Sequence, residues 1–141
     1  MDKTLLEHSL SLVDLPDDGL TVRFYDILFT RYPEVEPMFS RETRQQAAML
    51  RTAIISVVDH LDDTAWLSAN LGALGRRHAG MGVTEPMYAA VAECMIAAMA
   101  EIGGDRWTVE MTEGWSEALT AVASLMLAGY PAEDQTASGA A

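Results

Sequence analysis

Apolar residues along this chain recur every three or four positions in six or seven stretches, and no stretch alternates strictly enough to read as a strand. The first such stretch predicts a helix over residues 4–13, with Leu5, Leu6, Ser9, Leu10 and Val13 on one face. Pro16 with Asp17 and Asp18 then reads as a break and a new start, because proline fits a first helical turn and carboxylates favour the positive end of the helix dipole. The second helix runs through Leu20, Phe24, Leu28 and Arg31 until Pro33 ends it. Residues 32–39 are bounded by prolines and leave room only for a tight turn or a single helical turn.

A third helix is predicted over residues 43–60, with Gln46, Leu50, Ile54, Val57 and Leu61 along one face. Its near-continuous apolar content predicts burial on more than one side. Asp62 and Asp63 make a turn and cap, and in the helix that follows Leu67, Leu71 and Leu74 share a face with His78. Gly80 and Gly82 are predicted to stop it, and Thr84, Glu85 and Pro86 to cap and start the next, over residues 85–102, with Tyr88, Val91, Met95 and Met99 in line. A last helix over residues 108–128 carries Met111, Trp115, Ala118, Val122 and Met126 and is closed by Gly129, Tyr130 and Pro131. The small, aperiodic residues beyond predict a frayed end, so the expected organisation is one all-α domain over residues 1–130 and a flexible tail over residues 131–141.

Composition narrows the partners. Half of the 141 residues are hydrophobic and only 7% aromatic, a core of Leu, Ala, Val and Met that suits packed helices. A net charge of -12 with nine Lys and Arg would repel phosphate backbones and anionic lipid, so neither nucleic acid nor a membrane is expected as a partner. No uncharged run reaches the length of a bilayer span, and the first residues lack a basic start and apolar block; a cytoplasmic location is the expectation. The single Cys94 can form no intrachain disulfide and reads as a small buried thiol.

Few catalytic arrangements are available. There is no cysteine pair, no HExxH, no Gly-rich phosphate loop and no serine beside a histidine base. Met87, Met95 and Met99 read as core, and Arg76 and Arg77 as a solvated face that could also pair with a ligand's carboxylates. His78 stands apart. An inward histidine just before a helix stop can give one ring nitrogen to a metal while a neighbour orients the other. Taken alone, it equally describes a core histidine bonded to a carbonyl, and Tyr25 and Gln46 alone read as a core tyrosine and a surface residue.

Taken together, Phe24 and Tyr25, Pro33, Phe39, Gln46 and Leu50, the Leu-Gly-Arg-Arg-His run ending at His78, and Tyr88 make the chain resemble single-domain bacterial globins, which are related to the haem domain of flavohaemoglobins. The match covers residues 5–128. It implies a globin fold, three helices over three around one haem b, with His78 on the iron and Phe39, Leu50, Leu74, Arg77, Val83 and Tyr88 around the cofactor. Tyr25 resembles the distal tyrosine and Gln46 the distal polar residue above the iron, so oxygen, nitric oxide and carbon monoxide are the implied ligands. No histidine occupies the distal position, since His60 lies near the far end of its helix. The implied reaction is nitric oxide dioxygenation, with a separate reductase as partner. Oxygen storage or sensing without turnover, and a haem-free helical interaction module, are the alternative readings, as a monomer or homodimer. Two residues depart from the relatives' pattern: Tyr130 stands where flavohaemoglobins place a glutamate near the proximal histidine, and Met49 stands where a basic residue is common. A strong proximal push is therefore in doubt, and contacts to propionates are left to Arg76, Arg77, Arg44 or Arg51. A third departure is that the sequence carries no flavin or nicotinamide domain of its own.

Overall fold

The computed structural model describes residues 1–39 and 42–131. Six α-helices are present there: α1 (Lys3–Val13), α2 (Gly19–Arg31), α3 (Thr43–Asp59), α4 (Thr64–Gly80), α5 (Glu85–Gly103) and α6 (Val109–Ala128). Short 3-10 turns at Pro16–Asp18, Pro33–Met38 and Gly104–Arg106 connect them, and the described residues include no strand. The predicted tail over residues 132–141 lies outside the described residues.

Local chemistry sets most boundaries. The Asp2, Asp63 and Thr108 side chains accept from the backbone N–H of Leu5, Trp66 and Met111 and so cap α1, α4 and α6. The start of α2 differs from expectation: Asp17 and Asp18 both adopt left-handed backbone angles, with φ of 59° and 57°, and Asp18 makes no side-chain cap. Aspartate tolerates that conformation better than most residues, so the pair forms the turn itself rather than capping the helix after it. Gly80 is likewise still helical. The stop is Gly82, whose φ of 85° lets the Gly82 N–H reach the Ala79 carbonyl and the Val83 N–H reach the His78 carbonyl, at 3.1 Å each. That pair of bonds is a Schellman motif.

Helix α5 packs on both α2 and α6, while α1 packs on α5 and α6, α3 on α1 and α2, and α4 on α6. The core is built from Leu6, Val13, Phe24, Leu28, Cys94, Ala98, Met99 and Trp115, all almost fully buried. Helix α5 has the length and hydropathy of a bilayer span, and its Cys94, Met95, Ala98 and Met99 are core residues. Helix α3 corrects the expectation of multi-sided burial. Only Ala47 and Val58 are buried on it, while Leu50, Ile54 and Val57 stay half-buried. The reason is geometric: α3 has partners on its α1 and α2 side, whereas α3 and α4 do not pack on one another to any extent.

Helices α4 and α6 meet unusually closely. A Cβ on Gly75 would overlap the Met126 carbonyl, and one on Gly129 would overlap the carbonyl of Gly72. Only glycine permits backbone to touch backbone there.

Candidate ligand site

Two clusters of side chains form, one on α2, the turn after it and the start of α3, and one around His78 on α4. The first is built on α2. Thr21 is buried and its hydroxyl donates to the Ala47 carbonyl at 2.8 Å, which pins α2 to α3 one turn before Tyr25 and one residue after Gln46. Tyr25 is 5% exposed, with its ring against Phe24, Phe29 and Phe39 at centroid separations of 4.9, 5.6 and 5.4 Å. Tyr25, Phe29, Phe39 and Gln46, with Glu36, Glu42 and Thr43, line a cavity of about 330 Å³. Among the described residues the Tyr25 hydroxyl has no hydrogen-bond partner, nor is it a sealed, unsatisfied atom, so it opens onto that space. Burial pushes its pKa up to about 12, which keeps it a proton donor at neutral pH.

The second cluster surrounds His78, near the C-terminal end of α4. His78 Nδ1 lies 3.2 Å from the Tyr88 hydroxyl, which lies 2.9 Å from the Tyr130 hydroxyl, which donates to the Val83 carbonyl at 2.8 Å. Burial, and secondarily the charge of Arg77, lower the His78 pKa, so the ring is neutral and keeps a lone pair. Its Nε2 has no hydrogen-bond partner among the described residues. Nor do three or more His, Cys, Asp or Glu side chains converge anywhere among them. A metal held by His78 therefore takes the rest of its coordination from a group that carries its own donors, as the four nitrogens of a porphyrin do.

The structure thus joins Tyr25, Phe39 and Gln46 in one cluster and His78, Tyr88 and Val83 in the other. Leu50 and Leu74 are half-buried one helical turn from Gln46 and His78 and belong to neither, and Arg77 is exposed. Arg51 is not available to a ligand's carboxylates: its guanidinium makes a two-pronged pair with Asp14, at 2.8 and 2.9 Å. His60 is committed as well, donating from Nδ1 to the Ser56 carbonyl at 2.7 Å and stacking on Trp66 at 3.7 Å. Sequence reasoning missed Phe29, although its place four residues after Tyr25 puts it on the same face. It also missed Thr21, for which no signal existed.

A family model, Globin, matches residues 22–126. The chain belongs to the globin family. This globin is similar to the flavohemoprotein of a Burkholderia species, 24% identical over 97% of this chain and 37% of that one, and to an uncharacterized globin-like protein of Aquifex aeolicus, 27% identical over 77% and 76%. It spans about a third of the length of the flavohemoproteins it matches. Among solved structures it is similar to an engineered carbene transferase made from a putative nitric oxide dioxygenase of Rhodothermus marinus, with a TM-score of 0.77, 26% identity and coverage of 88% and 87%. A bacterial globin from Campylobacter jejuni gives 0.77, at 22% identity and coverage of 90% and 92%. Globin membership implies a haem cofactor and gas binding at it, and the site fits that group. The globin offers a neutral imidazole with Nδ1 oriented by Tyr88 and Nε2 without a partner among the described residues, and a cavity of about 330 Å³ lined by Tyr25, Phe29, Phe39 and Gln46.

Proposed function

We propose that this globin holds haem b through His78 Nε2 and uses Tyr25 and Gln46 to retain dioxygen, in support of nitric oxide dioxygenation with a separate reductase. Haem, when bound, supplies the iron at which dioxygen, nitric oxide and carbon monoxide compete. The protein supplies the rest. Tyr25 offers a hydroxyl that stays protonated, and Gln46 a carboxamide that can turn either its donor or its acceptor inward. Phe39 would brace the flat ring, Leu50, Leu74 and Val83 would exclude water from it, Tyr88 orients His78, and Arg77 would pair with a propionate.

The observation that carries this reading is the convergence of Tyr25 and Gln46 on one cavity with the Tyr25 hydroxyl unpartnered. A phenol at the edge of a cavity with no protein partner is free to donate its hydrogen bond to a ligand held there. The relative from Rhodothermus marinus, itself a putative nitric oxide dioxygenase by description, lends support. Stopped-flow mixing of the oxygenated protein with nitric oxide should give rapid conversion to the ferric form with nitrate as product. Slow conversion would remove the reaction and leave oxygen storage or sensing. The uncharged proximal cluster speaks for that second reading, because a neutral support favours holding a ligand over driving redox chemistry.

A further inference from the structure

The protons of the proximal cluster can be assigned in order from one backbone atom. The Val83 carbonyl can only accept, so the Tyr130 hydroxyl, 2.8 Å away, donates to it. With that proton committed, the Tyr130 oxygen accepts from the Tyr88 hydroxyl at 2.9 Å. The Tyr88 oxygen in turn accepts from His78 Nδ1 at 3.2 Å. Were Tyr88 to donate to the histidine instead, two phenolic oxygens would face each other at 2.9 Å with no hydrogen between them. The chain therefore has one direction.

We propose that Tyr130 and Tyr88 are positioning residues which, anchored on the Val83 carbonyl, fix His78 as the Nδ1–H tautomer and aim its Nε2 lone pair at the iron. The proposal rests on the reading of His78 as the haem ligand. It adds a limit on what that ligand can do. Among the described residues every member of the relay is neutral, and the Tyr130 hydroxyl donates to a carbonyl rather than a carboxylate. Such a chain orients the ring and polarises its N–H only modestly, whereas an anionic acceptor would draw the proton away and make the imidazole a much stronger donor. Tyr130 is thereby the residue that holds the proximal side mild.

The fold supplies the three parts from separate places. Gly82 turns the chain after α4 so that Val83 comes back over His78. Tyr88 stands in the first turn of α5. Tyr130 follows α6, which the contacts at Gly75 and Gly129 seat directly against α4. No one of these segments could build the relay alone.

The test is resonance Raman spectroscopy of the ferrous, ligand-free holoprotein, read at the iron–histidine stretch and compared among wild type, Tyr130→Phe and Tyr88→Phe. Both variants keep the ring volume and differ only by the hydroxyl. Tyr88→Phe removes the direct partner of Nδ1 and should shift the band furthest to lower frequency; Tyr130→Phe should give a smaller shift in the same direction. In parallel, the paramagnetically shifted Nδ1–H proton should exchange with solvent faster in both variants. A band unchanged in both, or one that moves more for Tyr130→Phe than for Tyr88→Phe, overturns the relay while leaving His78 as the ligand. Absence of the band from wild type overturns the assignment of His78 itself, and the relay with it.

Discussion

At the scale of single residues, the distal side turns on one hydroxyl. Tyr25 sits in an aromatic cage that fixes its ring, and its phenol is the donor best placed for a polarised ligand in the cavity. Replacing Tyr25 by Phe should accelerate oxygen dissociation by roughly five- to a hundred-fold, the equivalent of about 1 to 3 kcal/mol for a hydrogen bond to a ligand carrying partial negative charge. An unchanged rate would show that the hydroxyl points elsewhere. The pH dependence follows from burial. The phenol donates only while protonated, and with a pKa of about 12 it remains so across the ordinary range, so the dissociation rate should be flat through neutral and mildly alkaline solution and rise only as pH nears that value. Stopped-flow measurements at stepped pH check this. His78, Tyr25 and Gln46 stood out in the sequence as candidates because their types and order match a known pattern. The resemblance also put Tyr130 near the proximal histidine, but not its bonds to Tyr88 and the Val83 carbonyl, because groups 42 and 47 residues apart meet only once α4, α5 and α6 are packed.

At the scale of elements, the seam between α4 and α6 decides where His78 sits. Gly75→Ala would push a methyl into the Met126 carbonyl, and because that atom belongs to backbone the strain cannot be relieved by a side-chain rotation. A loss of about 1 to 3 kcal/mol is expected for such overpacking, read by urea or thermal unfolding; stability equal to wild type would mean the seam is looser than described. Helix positions were the most legible feature of the sequence, since 3.6-residue periodicity and the caps at Asp63 and Thr108 are local signals. Two failures share one cause. Asp17 and Asp18 read as the acidic first turn of a helix until the turn demands left-handed angles, and α3 reads as buried on more than one side although it packs mainly on α1 and α2. Both depend on tertiary surroundings that no window of residues contains.

At the scale of the whole molecule, the helices leave Leu50, Ile54 and Val57 of α3 and Leu74 of α4 only half-buried, so on the haem reading the apoprotein should be measurably less stable than the holoprotein. A ligand that binds only the folded chain adds about 2.7 kcal/mol at a hundred-fold excess over its dissociation constant and more as the excess grows. Removing haem should lower the melting temperature, and adding haemin back should raise it in proportion to the logarithm of its concentration. A melting temperature indifferent to haemin would favour the haem-free interaction module instead.

The glycine seam also restricts how the proximal side can respond when a gas binds. With carbonyl groups lodged against bare Cα atoms at two successive points, α4 can neither slide along α6 nor roll over it without collision. Any adjustment of the imidazole must then be taken up in the loop just past the helix, around the left-handed turn at Gly82.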